Sequence, residues 1–314
     1  MQRVSGPQPA DAERTVPAPP VFLVGPARSG TSLLYKVLCL HPEAAYISNW
    51  VARFPRVTRL AALNRWARRR SGKRMRVWFG DDSNAYVYGK GRRRKHRGFP
   101  MPVEGEPVFS RCGIPQDRLL APDGLWREGQ ALRRELEAIR VASGGSVFIN
   151  KRIANNLRIA FLAAAFPDAR FVSIVRDGRA VALSLSRVDW WPDSYVWWAG
   201  TSPRQWASAG KDPWAMCARN WVEELDAIGQ GLTLVPEEQV LRLTYESFVD
   251  DPVATVGRVA SFAGLPDDDG WRRTVSGLSF PDRNEAWRSQ LDADAARIVR
   301  TIQFEKLRDN GYVL

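Results

Sequence analysis

The pattern of apolar and polar positions predicts strands that alternate with helices. Four short, mostly apolar runs are typical of buried parallel strands: 21–24, 147–149, 171–175 and 240–243. Amphipathic stretches predict helices over 31–40, 128–141, 156–166, 179–187, 248–262 and 292–309. This alternation favours an α/β fold in which a parallel sheet carries helices on both faces.

The segments outside this pattern suggest how the chain is divided. Residues 1–19 are rich in Pro, Ala and charge and predict a disordered N-terminal lead-in. Residues 20–314 predict one domain. Within it we interpret residues 50–145 as a variable insertion, because the stretch 50–115 is irregular and rich in Arg, Gly and Pro.

Composition excludes several classes of protein. The 314 residues are 45% hydrophobic and 25% charged, which is ordinary for a globular protein with a sizeable core. No apolar run approaches the roughly 18–20 residues that span a bilayer, and the N-terminus has no apolar signal core. The three cysteines match no metal spacing, so we expect free or buried thiols in a reducing cytoplasm.

The net charge of +12 is concentrated in two short runs. Residues 65–76 carry seven Lys/Arg and no acid, and residues 90–97 carry six more. Without these thirteen cations the rest of the chain has a net charge of −1. Nucleic-acid binding is therefore not expected, because proteins that bind nucleic acid more often carry positive charge spread along a face or groove. The runs form either a patch for an anionic acceptor, donor or membrane surface, or a solvated insert.

A candidate phosphate loop follows the first strand. Residues 25–32 read Gly-Pro-Ala-Arg-Ser-Gly-Thr-Ser, at a strand-to-helix junction where backbone N–H groups and a helix N-terminus can bind phosphate. A nucleotide triphosphatase would carry Lys after the second Gly. Here that position is Thr31, and the cation is Arg28 inside the loop. The pattern predicts phosphate binding that needs no magnesium.

A second candidate anion site follows the third predicted strand. Arg176 ends that strand, at the sheet edge where ligands of open α/β sheets bind. Ser184 lies in the following helix, so both side chains can converge on one anion, with the Arg supplying charge and the Ser a neutral donor.

Together these motifs resemble PAPS-dependent sulfotransferases, which use 3′-phosphoadenosine 5′-phosphosulfate (PAPS). Residues 26–32 resemble the family's 5′-phosphosulfate loop, with Ala27 as one extra residue, and the spacing of Arg176 and Ser184 is that of its 3′-phosphate site. The resemblance implies a P-loop-like fold and a donor site. Its residues would be Arg28, Ser29, Gly30, Thr31, Ser32, Arg176, Ser184, Tyr245 and Arg288.

Tyr245 and Arg288 are assigned from weaker sequence similarities to the family. Residues 243–248 are similar to a family segment whose Tyr lies near the adenine, and 284–288 resemble a late segment whose basic residue reaches the 3′-phosphate. Residues 307–312 resemble the family's Leu-Gly-Tyr ending. The resemblance covers most of 20–50 and 145–314. It fails over 50–145, where these enzymes recognise acceptors.

The implied reaction is sulfuryl transfer from PAPS to a hydroxyl or amine acceptor, with release of 3′,5′-diphosphoadenosine and no metal. The acceptor would be a small molecule, a glycan or a lipid, and an anionic acceptor would suit the basic runs. Peripheral contact with a membrane is a further option.

Two rival functions stay open. A P-loop kinase or nucleotidase would need the missing Lys and a metal-binding acid, and a basic module would bind nucleic acid or an anionic surface.

Catalytic candidates follow from the same resemblance. Arg28 can stabilise charge on the leaving phosphate. Lys151 follows the second predicted strand, where the family commonly has a Lys near the transferring group. The aryl and steroid branch has a His two residues later, but this chain has Ile153. Its two histidines are poorly placed, since His41 follows the far end of a helix about 15 Å long and His96 lies in a basic run.

A carboxylate is therefore the expected base. The candidates in the insertion are Asp81, Asp82, Glu104 and Glu106, with Glu104 first.

Residues that could line an acceptor pocket are found in a tryptophan-rich stretch. Seven of the thirteen Trp lie in residues 190–221. Trp221 is expected to pack the core. Loop packing or an apolar or sugar-binding pocket would suit four others, Trp190, Trp191, Trp197 and Trp198.

Overall fold

The computed structural model describes residues 18–80, 98–281 and 283–313, and in this part of the chain a five-stranded parallel sheet forms the centre. The strands are β1 (Val21–Val24), β2 (Ala44–Ala45), β3 (Val147–Lys151), β4 (Arg170–Val175) and β5 (Val240–Thr244). Their order is β2-β3-β1-β4-β5. Because β1 is central, with Phe22 opposite Asn150 of β3 and Phe171 of β4, the segments that follow β1, β3 and β4 meet at one sheet edge.

Helices of very different length surround the sheet. In chain order they are α1 (Thr31–Leu38), α2 (Asn49–Arg53), α3 (Leu63–Arg68), α4 (Ser71–Phe79), α5 (Glu106–Arg111), α6 (Trp126–Ser143), α7 (Ile159–Ala165), α8 (Gly178–Ser186), α9 (Pro203–Ser208), α10 (Pro213–Leu232), α11 (Tyr245–Asp250), α12 (Pro252–Ala263), α13 (Asp269–Ser276), α14 (Trp287–Gln290) and α15 (Ala293–Asp309). Short 3₁₀ segments include Thr58–Ala62 and Ile153–Leu157.

The side chains of β1 fill a core on each face of the sheet. Val21 and Leu23 pack with α1, α12 and α13, whereas Phe22 and Val24 pack with α6, α7 and α10. All four are at most 1% exposed. Successive strand residues point to opposite faces, so an unbroken apolar run requires cover on both. The predicted α/β fold with helices on both faces is confirmed.

Several boundaries differ from the prediction for local reasons. The single helix predicted over 248–262 is two helices, α11 and α12, because Pro252 lacks an N–H and begins a new helix that Asp251 caps through the N–H of Ala254 at 2.9 Å. The helix predicted over 156–166 begins as a 3₁₀ turn and continues as α7. β2 was not predicted, because two alanines show no period.

The prediction that residues 50–115 are irregular is wrong for the described part. It contains most of α2, all of α3, α4 and α5, and a 3₁₀ segment. These helices have five to nine residues, too few to show a clear helical period in the sequence. Residues 81–97 lie outside the described residues, and with them Asp81, Asp82, His96 and the second basic run. Residues 1–17 of the predicted lead-in also lie outside them.

Two further expectations concern the membrane and the thiols. Among the described residues, no helix is long and apolar enough to cross a membrane. Cys39, Cys112 and Cys217 are free and buried, as predicted.

Candidate functional site

The phosphate loop, residues 25–32, joins β1 to α1 through left-handed backbone. Arg28 has φ of 70° and Gly30 has φ of 87°. The Gly30 carbonyl accepts hydrogen bonds from the N–H groups of Leu33 and Leu34, both at 3.0 Å. The first N–H groups of α1, those of Thr31 and Ser32, have no acceptor within the helix. They form the kind of helix terminus that binds phosphate.

Tyr245 fixes this loop from the side of β5. A Cβ added to Gly30 would lie 2.6 Å from Cδ2 of Tyr245, so the ring contacts the loop backbone directly. Tyr245 is 1% exposed, and the guanidinium carbon of Arg176 lies 4.2 Å from its ring centroid. The residue expected near the adenine therefore also supports the phosphate loop.

Ser29 provides the test of whether the loop fits an anion. Its side chain is completely buried, and its Oγ has no hydrogen-bond partner among the described residues. An unpaired buried hydroxyl costs about 1–3 kcal/mol. A phosphate oxygen would remove that cost, so the loop fits the phosphosulfate end of the expected donor.

The structure brings the two predicted anion sites together. Nε of Arg28 donates to Oγ of Ser184 at 3.0 Å, and Nη1 of Arg176 donates to the Arg28 carbonyl at 3.2 Å. Arg28, Arg176 and Ser184 thus converge from the loop, the end of β4 and α8. Arg176 is 6% exposed, whereas Arg28 is exposed. That these residues hold a donor stays a prediction.

The late segment reaches this cluster through residues other than Arg288. Arg176 donates from Nε to Oδ1 of Asn284 at 3.1 Å and from Nη2 to the Arg283 carbonyl at 2.8 Å. Arg288 is at the surface, where it pairs with Glu285 and stacks on the Trp287 ring, with 4.7 Å from guanidinium carbon to centroid. Sequence reasoning missed Asn284, although it lies in the segment that was singled out.

Lys151, the last residue of β3, lies beside Glu104. Nζ of Lys151 donates to Oε1 of Glu104, and Nη1 of Arg152 donates to Oε2. Lys151 is 3% exposed. Burial alone would raise the pKa of Glu104, but the charges and hydrogen bonds of Lys151 and Arg152 lower it to about 2. Two residues predicted independently from the sequence therefore form one ion pair between a buried Lys151 and a partly exposed Glu104, in which Glu104 is ionised.

Glu106 has a different environment. Its carboxylate pairs with Arg152 at 3.0 Å and with the fully buried Arg158 at 2.7 Å. Arg158 also donates to the Pro115 carbonyl at 2.8 Å. Both oxygens of Glu106 hold Arg158 and Arg152, and its side chain is 15% exposed against 32% for Glu104, which favours a structural role over that of a base.

A buried pair that sequence reasoning missed holds the start of the phosphate loop. The Asn156 amide binds the Gly25 backbone on both sides: its Oδ1 accepts from the Gly25 N–H and its Nδ2 donates to the Gly25 carbonyl, each at 3.0 Å. The same Nδ2 donates to Oε2 of Glu224 in α10. Asn156 is 1% exposed and Glu224 is 5% exposed. Glu224 is therefore linked to the loop through one side chain.

Glu224 has an unusual ionisation equilibrium. Burial raises its pKa to about 7, although the hydrogen bond from Asn156 and the charge of Lys151 both lower it. A signal in the sequence could have identified it. Glu224 is three residues after Trp221 and four before Ile228, so it occupies the apolar stripe of its helix, where a carboxylate requires an explanation.

Asp177 has a structural role beside the site. Its carboxylate caps α8 through the Arg179 N–H at 2.9 Å and pairs with the Arg179 guanidinium at 2.8 Å. The Asp177 N–H donates to Glu246, whose other oxygen accepts from the hydroxyl of Tyr312 at 3.0 Å. Two segments that resemble the family only weakly, Tyr245–Glu246 and the C-terminal end, are therefore in contact in the folded chain.

His41 lies in the interior, among structural contacts. His41 is completely buried, and its ring binds the Pro266 carbonyl at 2.9 Å and accepts from the Glu43 N–H at 3.1 Å. Burial lowers its pKa. These contacts give it a structural role. Over the ranges that the structure describes, no group of three or more His, Cys, Asp or Glu could hold a metal ion.

The tryptophan-rich stretch divides into core and surface residues. Trp221 is completely buried, as predicted, and Trp191 packs in the core at 7% exposed. Trp198 donates to Oδ1 of Asn220 at 3.1 Å. Trp190 is 50% exposed. Trp191 therefore packs in the core, which fits the loop-packing alternative better than a place in an acceptor pocket.

Comparisons with known proteins concern the fold and the family. The chain resembles the sulfotransferase STF9 from Mycobacterium avium, with a TM-score of 0.57 at 15% identity over 95% of this chain and 79% of the other. It also resembles the sulfotransferase STF1 from Mycobacterium tuberculosis H37Rv, with a TM-score of 0.53 at 16% identity over 91% and 77%. These likenesses show the fold. No curated protein sequence matches the chain.

A phosphate loop at the carboxyl edge of a five-stranded parallel sheet, within the described residues, defines a P-loop-like α/β protein. The family model described as the sulfotransferase family matches residues 19–269, which is most of the chain. The chain therefore belongs to the sulfotransferase family.

Proposed function

We propose that the chain transfers a sulfuryl group from PAPS to a hydroxyl or amine acceptor and releases 3′,5′-diphosphoadenosine. One observation carries the proposal: the phosphate loop, whose Ser29 hydroxyl has no partner among the described residues, contacts both Arg176 and Ser184, the two residues predicted to hold a second anion. The donor is a nucleotide with anionic groups at both its 5′ and 3′ ends. Two adjacent sites suit it better than they suit an ordinary nucleotide.

The loop residues Ser29 to Ser32 would hold the phosphosulfate, and Arg176 with Ser184 would hold the 3′-phosphate. Tyr245 is proposed to lie near the adenine, and Arg288 to reach the 3′-phosphate from the late segment. In the reaction a bond forms between the acceptor oxygen or nitrogen and sulfur, while the bond from sulfur to the 5′-phosphate oxygen breaks. Arg28 and Lys151 would stabilise the negative charge that develops on the leaving phosphate.

Glu104 is proposed as the group that accepts the acceptor's proton. It is held by Lys151 and Arg152 and remains ionised at every physiological pH, since its pKa is about 2. So low a pKa makes it a weak base, and general-base catalysis is most effective near the operating pH. Glu104 is therefore also proposed to orient Lys151. A weak base of this kind can deprotonate an acceptor whose hydroxyl or amine proton is relatively acidic.

Nucleotide binding tests the proposal directly. Calorimetry should give a much lower Kd for 3′,5′-diphosphoadenosine than for ADP, since ADP lacks the 3′-phosphate. Incubation with radiolabelled PAPS and a panel of phenols, sugars, lipids and peptides, with EDTA present, should then label at least one acceptor. Equal affinity for the two nucleotides, together with an absolute magnesium requirement, would favour a kinase or nucleotidase instead.

We further propose a cytoplasmic location and an acceptor that is a small molecule, glycan or lipid. The three buried, unbonded cysteines support a reducing compartment. Fractionation of cells that express the tagged chain would test the location.

A further inference from the structure

One stretch of the described chain is strongly cationic. Residues 44–80 contain ten Lys/Arg and no Asp or Glu. Such a stretch can be a solvated surface, a set of structural contacts or a binding face. The contacts of its side chains distinguish these possibilities.

Two of the ten cations are structural. Arg68 donates to the carbonyls of Gly144 and Ala44, each at 3.3 Å, and Arg74 is buried and donates to the Leu40 carbonyl at 3.0 Å. These carbonyls lie at or near the C-terminal ends of α6 and α1, or in β2. A cation there satisfies backbone oxygens that the helix leaves unpaired.

The other eight are exposed to solvent: Arg53, Arg56, Arg59, Arg65, Arg69, Arg70, Lys73 and Arg76. None of them forms an ion pair with an acid among the described residues. Their charges are therefore not neutralised within the described part of the chain.

Exposed apolar side chains lie among these cations. Phe54 is 43% exposed, Val57 36% and Trp66 40%. The guanidinium carbon of Arg53 lies 5.5 Å from the Phe54 ring, and that of Arg70 lies 5.4 Å from the Trp66 ring. We call the eight cations with Phe54, Val57 and Trp66 the cationic face.

The two halves of the cationic face are joined through residues 98 and 99. Trp50 stacks on Phe54, with 6.3 Å between ring centroids, and its Nε1 donates to the Gly98 carbonyl at 2.8 Å. The ring centroids of Trp66 and Phe99 are 5.3 Å apart. Since Gly98 and Phe99 are neighbours, a continuous line of contacts connects Phe54 to Trp66.

We propose that the cationic face docks on an anionic lipid bilayer. A lipid surface accepts both parts of the face: its headgroups attract Lys and Arg, and its interface takes up Trp, Phe and aliphatic side chains. A free anionic metabolite would be bound by a few cations and would not explain the exposed Phe54 and Val57. The inference does not depend on sulfuryl transfer, because docking needs neither donor nor acceptor.

Vesicle co-sedimentation with the full chain tests the proposal. The protein should bind vesicles of phosphatidylcholine with phosphatidylserine and should bind pure phosphatidylcholine vesicles much more weakly. The triple variant Arg69→Ser, Arg70→Ser, Lys73→Ser should lose affinity for the anionic vesicles on the order of a hundredfold, since each interfacial cation contributes about 1 kcal/mol.

A matched control removes three exposed cations from α15 instead: Arg297→Ser, Arg300→Ser, Arg308→Ser. It has the same net charge as the first variant and should bind the anionic vesicles like the wild type. If both variants lost affinity equally, net charge alone would explain binding and the proposal would be wrong.

A second variant tests the apolar part of the face. Phe54→Ser with Val57→Ser keeps every charge and should weaken vesicle binding by about tenfold or more, because both side chains lose contact with the interface. Circular dichroism and thermal melting should first show that it folds. Unchanged vesicle binding, or tight binding of a single-stranded oligonucleotide without vesicle binding, would overturn the proposal.

Discussion

Glu224 accepts a hydrogen bond from the amide of Asn156 in the interior of the protein, and Asn156 in turn binds both polar atoms of the Gly25 backbone. A titrating carboxyl group is thus one side chain away from the phosphate loop. Since burial raises its pKa to about 7, its protonation changes within the physiological range. This relationship leads to two predictions.

The first prediction concerns stability and pH. The folded-state pKa of Glu224 is about 7, above the ordinary 4.5, so the folded protein keeps a proton that the unfolded chain releases between these values. The stability that this proton contributes is present below about pH 4.5 and is lost as the pH rises through about 7. Glu224→Gln removes the effect. Between about pH 5 and about pH 8, its free energy of unfolding should rise relative to wild type by up to about 3 kcal/mol.

Urea denaturation at several pH values measures this difference. Glu223→Gln is the matched control, because its neighbouring carboxylate pairs with Arg219 and is 30% exposed. That variant should follow the wild-type profile. Parallel profiles for Glu224→Gln and wild type would show that Glu224 does not titrate in this range.

The second prediction concerns donor affinity. Asn156→Ala frees the Gly25 peptide, so the loop should lose its fixed shape and bind 3′,5′-diphosphoadenosine at least about tenfold more weakly, since a buried polar contact is worth about 1–3 kcal/mol. Asn64→Ala is the control. Asn64 is equally buried, and its amide donates to the Tyr46 carbonyl at 3.0 Å, away from the loop.

Both variants should be destabilised, and calorimetry should show weaker nucleotide binding for Asn156→Ala alone. If the two bound nucleotide equally well after correction for folded fraction, Asn156 would have no role in positioning the loop.

The sequence predicted the loop and four of the five described strands because their signals are local. Val21–Val24 is an unbroken apolar run, and Gly30 precedes a helix that its backbone caps. Contacts between distant segments gave no such signal. The bond from Asn284 to Arg176 joins residues 108 apart, and that from Asn156 to Gly25 joins residues 131 apart. Nothing in the neighbourhood of either Asn indicates its partner, because tertiary packing decides which side chains meet.

The third prediction concerns Arg176. Arg176→Ala removes a guanidinium group that donates hydrogen bonds to Asn284 and to the Arg283 carbonyl. It also removes a positive charge beside the phosphate loop. Affinity for 3′,5′-diphosphoadenosine should fall at least about tenfold, since a hydrogen bond to a charged group is worth about 1.5–3 kcal/mol. Affinity for ADP should fall less, because ADP has no 3′-phosphate.

Arg187→Ala is its control, since Arg187 is exposed and binds Gln290 at 2.6 Å. It should bind both nucleotides like the wild type. A loss for ADP as large as that for 3′,5′-diphosphoadenosine would mean that Arg176 only supports the fold of the site.

The fourth prediction separates turnover from binding. Lys151→Met keeps the length of the side chain but removes the charge that pairs with Glu104. If Lys151 acts on the transferring group, kcat should fall by about tenfold or more while donor affinity changes little, because the lost interaction is made mainly in the transition state. Single-turnover assays with PAPS measure both quantities. An unchanged kcat would assign Lys151 to structure alone.

The last prediction tests the division of the cationic stretch into structural and exposed members. Arg74→Met and Arg76→Met each remove one positive charge from α4. Arg74 is 9% exposed and donates to the Leu40 carbonyl at 3.0 Å, whereas Arg76 is exposed. We expect Arg74→Met to lower the free energy of unfolding by about 1.5–3 kcal/mol, because the Leu40 carbonyl loses a charged donor. Arg76→Met should change it by no more than about 0.5 kcal/mol.

Urea denaturation of the two variants gives these values directly. Binding to anionic vesicles should show the opposite order, because Arg76 belongs to the cationic face and Arg74 does not. Equal destabilisation by both substitutions would mean that the contact with Leu40 contributes nothing. Arg74 would then stabilise the fold no more than an exposed cation does, and exposure would no longer distinguish the cations that hold the fold from those available to a partner.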